Sequence, residues 1–186
     1  MRIQFYLFAF LALGFYSGCT VTIPESDRTP PTFILEITNG LPGGSVRITS
    51  EDDLSRKQLN LRRNTLYQFR FSGSDAGGLE ALKLRVNWPT DFLGLSLASD
   101  EYIIVTDEPT SRELTWLGNR SDPRSGMLIT GQLNTIMYNQ SYAIVSVEWD
   151  MTASDFGGTS GSANFTSKTL KVGIVDETQE IGLLNL

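Results

Sequence analysis

The strongest constraint on the fold is a hydrophobic alternation of period two that returns along most of the chain. Tyr67, Phe69 and Phe71 alternate with the polar Gln68 and Arg70. The same alternation recurs over residues 33–37, 82–88, 145–151 and 170–174. Successive side chains of a β-strand point to opposite faces, so this period predicts strands that bury one face and expose the other. Because no segment shows a convincing helical stripe, we predict an all-β protein built from antiparallel sheet.

Two turns in the chain share one motif, Ser-Asp-x-Gly-Gly, at residues 74–78 and 154–158. Each copy ends an alternating apolar strand. An aspartate at the start of a turn accepts hydrogen bonds from backbone N–H groups just ahead of it, and glycine supplies positive φ. The repeat therefore predicts two aspartate turns, one at Asp75 and one at Asp155.

These residues resemble the bacterial immunoglobulin-like and fibronectin-III-like domains. The resemblance rests on Thr29-Pro30-Pro31 at the domain start, on the run from Tyr67 to Leu79, and on the second motif, and it covers roughly residues 29–90 and 140–176. In those families an Asp-x-x-Gly turn joins strands B and C, and the second copy is similar to the F–G turn. The resemblance implies an antiparallel immunoglobulin-like β-sandwich, with a jelly roll as the alternative arrangement. It implies no particular function, because this sandwich hosts many unrelated ones.

The predicted domain, residues 32–176, is longer than such sandwiches usually are, and most of the excess lies between Trp88 and Tyr138. Strand-like pieces occur within this enlarged middle region at residues 102–105, 113–117 and 127–130. With these pieces the sandwich would have roughly eight to ten strands.

Two further segments leave alternatives open. Residues 51–63 fit either a short helix or a charged edge strand. The C-terminal tail, residues 177–186, ends in the apolar stretch 182–186, which fits an extra edge strand or a surface packed on a partner.

The N-terminus reads as an export signal. One positive charge, Arg2, precedes an apolar run from Phe5 to Tyr16, and small residues follow it. The run is too short to span a bilayer, which needs about 20 residues. We therefore predict a signal peptide over residues 1–18 rather than a transmembrane anchor.

The end of this signal resembles the lipobox of bacterial lipoproteins. The match is Tyr16-Ser17-Gly18-Cys19, with tyrosine where the family usually has leucine or another aliphatic residue. It implies cleavage after Gly18 and acyl chains on Cys19, the single cysteine of the chain. Residues 19–31 are polar, end in Pro30-Pro31, and are expected to form a lipidated tether. The alternative is an ordinary secretory signal followed by an unmodified cysteine.

Charge and composition exclude several classes of function. Removal of residues 1–18 takes away Arg2 alone, so the 15 basic residues become 14 against 21 acidic ones, a net charge of −7. Nucleic acid repels such a surface, so a nucleic-acid partner is excluded. The chain has no histidine, which excludes Ser-His-Asp and Cys-His catalysis and His-ligated zinc. Any metal would be a hard cation held by oxygen, usually calcium.

The paired aspartate turns are a candidate calcium site. If residues 65–89 are strands B and C and residues 142–176 are strands F and G, both turns fall at one end of the sandwich. Asp75 and Asp155 could then hold Ca²⁺ together with backbone carbonyls. Calcium takes six to eight oxygens, and two aspartates provide few of them. Two independent aspartate turns are therefore the favoured interpretation.

Aromatic and acidic side chains offer two other candidate sites. Trp88 and Trp149 share the phase of the apolar faces and are expected in the core. Trp116 is the one tryptophan considered as a surface platform for sugars. Glu148 and Asp150 share the opposite face of their strand, and a pair of carboxylates can hydrolyse glycosides. Solvated surface is the expected role of such a pair.

These observations favour a non-catalytic cell-envelope lipoprotein whose immunoglobulin-like domain is a binding or assembly module. Its expected contacts are a membrane, through the lipid on Cys19, and an envelope protein or a glycan. A carbohydrate-binding surface lipoprotein that uses Trp116 is the alternative. A small hydrolase comes third, since the chain has neither histidine nor a nucleophile motif. Thr20 resembles outer-membrane sorting more than inner-membrane retention, and apart from calcium no cofactor is expected.

Overall fold

All regular secondary structure in the described part of the chain is β-strand. The computed structural model describes residues 21–40, 44–87, 94–98, 103–135, 145–175 and 182–186. These residues form the strands β1 (Thr32–Thr38), β2 (Ser45–Thr49), β3 (Lys57–Arg62), β4 (Leu66–Ser74), β5 (Leu79–Asn87), β6 (Gly94–Leu97), β7 (Ile103–Glu108), β8 (Ser111–Leu117), β9 (Gly126–Asn134), β10 (Val145–Asp155), β11 (Phe165–Val175) and β12 (Gly182–Asn185). Within these ranges there is no helix long and apolar enough to cross a membrane.

The strands form two sheets that pack face to face. The five-stranded sheet has the order β2-β1-β4-β9-β6, and the seven-stranded sheet has the order β12-β3-β11-β10-β5-β8-β7. Strand β3 runs parallel to β11, and the other pairings of the described strands are antiparallel. The prediction of an all-β fold is confirmed, and among the described strands the parallel β3–β11 pair departs from the predicted antiparallel pairing.

The strand order is that of an immunoglobulin-like sandwich. Strands β1, β4, β9 and β6 lie in the order A-B-E-D of that fold, and β5, β10 and β11 lie in the order C-F-G. The chain changes sheets between β4 and β5, through the first Ser-Asp-x-Gly-Gly turn, and the second turn begins the β10–β11 connection. The immunoglobulin-like prediction is therefore confirmed, and the jelly-roll alternative is not the observed order.

The enlarged middle region adds strands to both sheets. Strands β6 and β9 complete the five-stranded sheet, whereas β7 and β8 form a hairpin that extends the seven-stranded sheet beyond β5. Residues 57–62 are a strand and not a helix. Strand β12 covers their outer side, so the sheet ends at the C-terminal strand and not at β3.

The core lies between the inner faces of the two sheets, where the alternating apolar residues meet. The rings of Phe33 and Phe71 are 5.7 Å apart, and Tyr67 is fully buried, with its hydroxyl accepting a hydrogen bond of 2.8 Å from Arg62 N. Trp149 is buried as predicted, and its indole Nε1 donates to the Asn87 carbonyl oxygen. Each such side chain stabilises the fold by about 1.5–3 kcal/mol through burial.

Candidate functional site

The two Ser-Asp-x-Gly-Gly turns adopt the same local structure. In each, the aspartate Oδ1 accepts a hydrogen bond from the backbone N–H two residues ahead, at 2.8 Å from Gly77 and 2.7 Å from Gly157. The register pairs Ser154 with Ala81 and Asp155 with Leu79, so the two turns lie side by side at one end of the sandwich. This is the arrangement expected from the sequence, and we call it the aspartate end.

The N-terminal segment folds back onto this end of the molecule. Pro24 O accepts a 2.8 Å hydrogen bond from Thr159 N, and Glu25 O accepts bonds from the N–H and hydroxyl of Ser160. Asn164 Nδ2 donates to Asp27 O at 3.0 Å. Residues 24–27, which we call the strap, are thus bound to the β10–β11 connection. Within the predicted tether, residues 19–31, the carbonyl groups of Pro24, Glu25 and Asp27 are thus bound to the folded domain.

Glycines of both motifs make room for the strap. A Cβ on Gly77 would lie 2.5 Å from Asp27 Oδ2, and a Cβ on Gly158 would lie 2.7 Å from Ser26 Cα. Gly158 also has a φ of 86°, which side-chain-bearing residues rarely adopt. The Gly-Gly steps therefore serve a close approach of backbone as well as the turn itself.

Three carboxylates meet where the strap crosses the two turns. One oxygen from each of Asp27, Asp75 and Asp155 lies within 4.8 Å of the others. Asp155 is 1% exposed and Asp75 is 8% exposed, whereas Asp27 is half-buried. Burial raises the pKa of Asp75 above its ordinary value, and the charges of Asp27 and Asp155 raise it further, while the bond from Gly77 N–H opposes them.

Backbone and side-chain amide N–H groups donate hydrogen bonds to the carboxylates of this cluster. Asp155 Oδ1 accepts from Gly157 N and Asn164 N, and its Oδ2 accepts from Asn164 Nδ2, all within 2.8 Å. Asp27 Oδ1 accepts from Thr29 N at 2.9 Å. Because these hydrogen bonds lie within the turns and the strap, they favour a structural role for the aspartates over a metal-binding one. The cluster offers a cation three carboxylates, and calcium would need further oxygens to reach its usual six to eight.

A groove lies on the outer face of the seven-stranded sheet. It is an open groove of about 720 Å³. Its lining comprises Gln58, Asn87, Thr110, Ser146, Val147, Glu148, Lys171 and Leu186. Hydrogen-bonding side chains from β3, β5, β10 and β11 therefore converge on one surface.

The other candidate residues predicted from the sequence lie in different places in the structure. Trp116 is 4% exposed, because β8 is an interior strand and its inner face packs on the core, so the expectation of a surface platform for sugars is corrected. Glu148 lines the groove, and Asp150 on the same face accepts a 2.7 Å hydrogen bond from the Thr169 hydroxyl. Cys19 and Trp88 lie outside the described residues.

Sequence reasoning missed the third aspartate of the cluster, its amide bridge, and the groove. Asp27 stands in a polar stretch without periodicity, so nothing local marks it. Asn164 follows a run of small residues and gives no signal either. The double glycine of each motif was a usable signal, since one glycine suffices for a turn and a second indicates that backbone passes close by.

Comparison with known proteins assigns no family. No protein-family model matches the chain, and no curated protein matches it in sequence. Among solved structures, the chain is similar to the crystal structure of ACE19, the collagen binding subdomain of Enterococcus faecalis surface protein ACE. It covers 66% of this chain and 97% of that chain, at 13% identity and a TM-score of 0.34. Similarity at this level has no bearing on what the present chain binds.

Proposed function

We propose that this chain is a lipid-anchored cell-envelope protein whose immunoglobulin-like sandwich is a non-catalytic binding or assembly module. The observation that supports a binding role is the groove on the seven-stranded sheet. We propose that the groove binds the partner and that the partner is an envelope protein. The anchor is the acylated Cys19, with Thr20 directing the protein to the outer membrane. The absence of histidine from the chain supports a binding role over hydrolysis.

The charges of the groove are available to a partner. Glu148 on β10 and Lys171 on β11 are register neighbours in the sheet. Within the part of the chain that the structure describes, neither takes part in an ion pair. A partner that presents a complementary pair of charges would gain orientation and specificity from both.

A photo-crosslinker placed in the groove tests the binding surface. With the crosslinking residue at Lys171 in intact cells, we expect a discrete adduct to one envelope protein. The matched position is Arg70, which lies on the outer face of the five-stranded sheet in an exposed pair with Glu36. Equal adducts from both positions, or none from Lys171, would contradict the groove as the binding surface.

Membrane fractionation tests the anchor. The Cys19→Ala variant should leave the membrane fraction and appear in the soluble envelope fraction, because acyl chains contribute about 0.8 kcal/mol per buried methylene. Cys19→Ser is a conservative companion that also lacks the acceptor thiol and should behave alike. If both variants remain membrane-bound, the anchor is not the lipid.

Glycan binding is the second candidate, favoured by the amide and hydroxyl groups of the groove. Gln58, Asn87 and Ser146 donate hydrogen bonds within the protein, and their remaining donor and acceptor positions can pair with sugar hydroxyls. A glycan array would show binding by the wild-type domain that is lost in Glu148→Ala. Asp150→Ala is the matched control, since Asp150 shares the face of Glu148 but does not line the groove. An array without any hit would remove this candidate.

A further inference from the structure

The strap limits how far the folded domain can stand from its anchor. Pro24 is hydrogen-bonded to the β10–β11 connection, and it is the fifth residue after Cys19 in the chain. A fully extended chain spans at most about 3.6 Å per residue, so Cys19 lies within about 18 Å of Pro24. The aspartate end of the sandwich is therefore the end next to the anchoring residue.

The opposite end of the molecule is much farther away. Strand β10 runs from Val145 at the far end to Asp155 at the aspartate end. Its length is about 35 Å at roughly 3.3 Å per residue. The turn between β3 and β4, next to Leu66, also lies at the far end, because Leu66 is the first residue of the strand that leads to the Asp75 turn. A bilayer that holds Cys19 thus meets the two ends of the sandwich at different distances.

One exposed loop at the aspartate end is free of charge and suits a bilayer surface. Residues 156–164 of the β10–β11 connection carry no charge, and residues 159–163 are exposed. Phe165 follows them and is 70% exposed. At the same end the exposed Arg28 and Arg124 offset the exposed acids Glu25 and Asp122. The uncharged loop has no charge for anionic headgroups to repel, and an exposed aromatic ring favours the interface.

We propose that the strap clamps the sandwich with its aspartate end against the bilayer, so that residues 159–165 face the lipid headgroups. The proposal rests on the proposed acylation of Cys19. It deepens that function by assigning the membrane-facing surface. The occupant of this surface is the membrane to which the chain itself is anchored, and no second protein is required there.

The same geometry points the groove away from the membrane. Ser146 and Glu148 line the groove and lie near the start of β10. Ser146 is nine residues from Asp155, or about 30 Å along the strand. A partner in solution or in the neighbouring envelope layer would reach the groove without competing with the bilayer.

Site-specific fluorescence quenching tests this orientation in the full acylated chain. Cys19 is the single cysteine, and its thiol would be consumed by the anchor, so introduced cysteines can be labelled selectively. A fluorophore is placed at Ser162→Cys or at Leu66→Cys, both exposed positions. The protein is reconstituted into vesicles of phosphatidylcholine and phosphatidylglycerol that contain a headgroup nitroxide quencher. We expect several-fold stronger quenching at position 162 than at position 66.

A variant with a longer linker between Cys19 and the strap is the control. An insertion of about 20 glycine and serine residues between Thr20 and Val21 leaves the described domain intact and adds an r.m.s. length of about 25 Å. In this variant the difference between positions 162 and 66 should largely disappear. A difference that survives the insertion would overturn the strap as the cause of the orientation.

The outcomes separate this inference from the proposed function. If mass analysis shows an acylated Cys19 and the chain sediments with vesicles, but both labels are quenched equally, the orientation is wrong and the anchor stands. If the cysteine carries no acyl chain, both the anchor and the orientation are overturned. Strong quenching at position 162 alone supports both.

Discussion

Asp75 and Asp155, the aspartates of two turns far apart in sequence, place carboxylate oxygens within 4.8 Å of each other. A carboxylate oxygen of Asp27 lies within the same distance of both. Two of the three side chains are buried. At this separation each negative charge disfavours the ionisation of the other carboxyl groups, and burial disfavours their ionisation further. The cluster therefore holds electrostatic repulsion, which the turns tolerate because backbone and amide N–H groups stabilise the carboxylates.

Neutralising Asp75 should stabilise the protein at neutral pH. Its folded-state pKa lies above the ordinary value of 3.8 because of burial and the neighbouring aspartates. A carboxyl of this kind contributes its stability below pH 3.8 and loses it as the pH rises through the folded-state pKa. In Asp75→Asn the amide oxygen can still accept from Gly77 N–H, so we expect a higher Tm at pH 7 than in wild type.

The pH dependence provides the control for this prediction. The Tm advantage of Asp75→Asn should shrink as the pH falls towards 3.8, because wild-type Asp75 then becomes neutral as well. Asp122→Asn, at an exposed aspartate of a neighbouring loop, should change Tm little at either pH. A Tm advantage that is independent of pH would contradict the electrostatic explanation.

Calcium should leave the stability of the protein nearly unchanged. The three carboxylates already accept hydrogen bonds from Thr29, Gly77, Gly157 and Asn164, and a cation must displace some of these donors or find further oxygens. Thermal melting in millimolar Ca²⁺ and in chelator measures this. A rise in Tm of several degrees that Asp75→Asn abolishes would instead establish a calcium site.

Loss of the Asn164 side chain should release the strap. Asn164 Nδ2 bridges Asp155 Oδ2 and Asp27 O, and hydrogen bonds to charged groups contribute about 1.5–3 kcal/mol. We expect Asn164→Ala to lower the free energy of unfolding by that amount and to speed tryptic cleavage after the exposed Arg28. Ser162→Ala, in the same connection but exposed, should have neither effect. An unchanged cleavage rate would show that the strap is held by other contacts.

Replacement of Trp116 should affect folding and not ligand binding. The side chain is buried on the inner face of β8, so Trp116→Ala should lower the free energy of unfolding by about 3–5 kcal/mol. Trp116→Phe keeps most of the packing and should cost less. Urea titrations of both variants give these values. If Trp116→Phe kept its stability but lost binding to a ligand, the tryptophan would belong to a binding site after all.

Much of the fold could be predicted from alternation and turns. The strands around Phe71, Leu84, Trp149 and Val172 were each predicted, since a half-buried strand shows its buried face directly in the order of its residues. The aspartate turns were predicted with equal ease, because each depends on residues adjacent in the chain. Strand partners within the enlarged middle could not be assigned, because β6, β7, β8 and β9 divide between two sheets without a local signal.

The candidate site was predictable in part. The proximity of Asp75 and Asp155 followed from the strand order of the resemblance, and the structure bears it out. The burial of Trp116 depends on the inner face of β8 packing against the core between the two sheets. The groove depends in turn on Gln58, Glu148 and Lys171, which three strands bring together.

The sequence by itself determined the class of the fold, the two aspartate turns and the acidic, histidine-free surface, because each follows from the identity or order of neighbouring residues. The tertiary structure alone decided that Asp27 joins the turns, that the N-terminal segment is a bound strap, and that Trp116 is internal. These features depend on which distant strands and segments lie next to each other. The free energy that selects such neighbours comes from packing and hydrogen bonding across the whole sandwich, which no local pattern encodes.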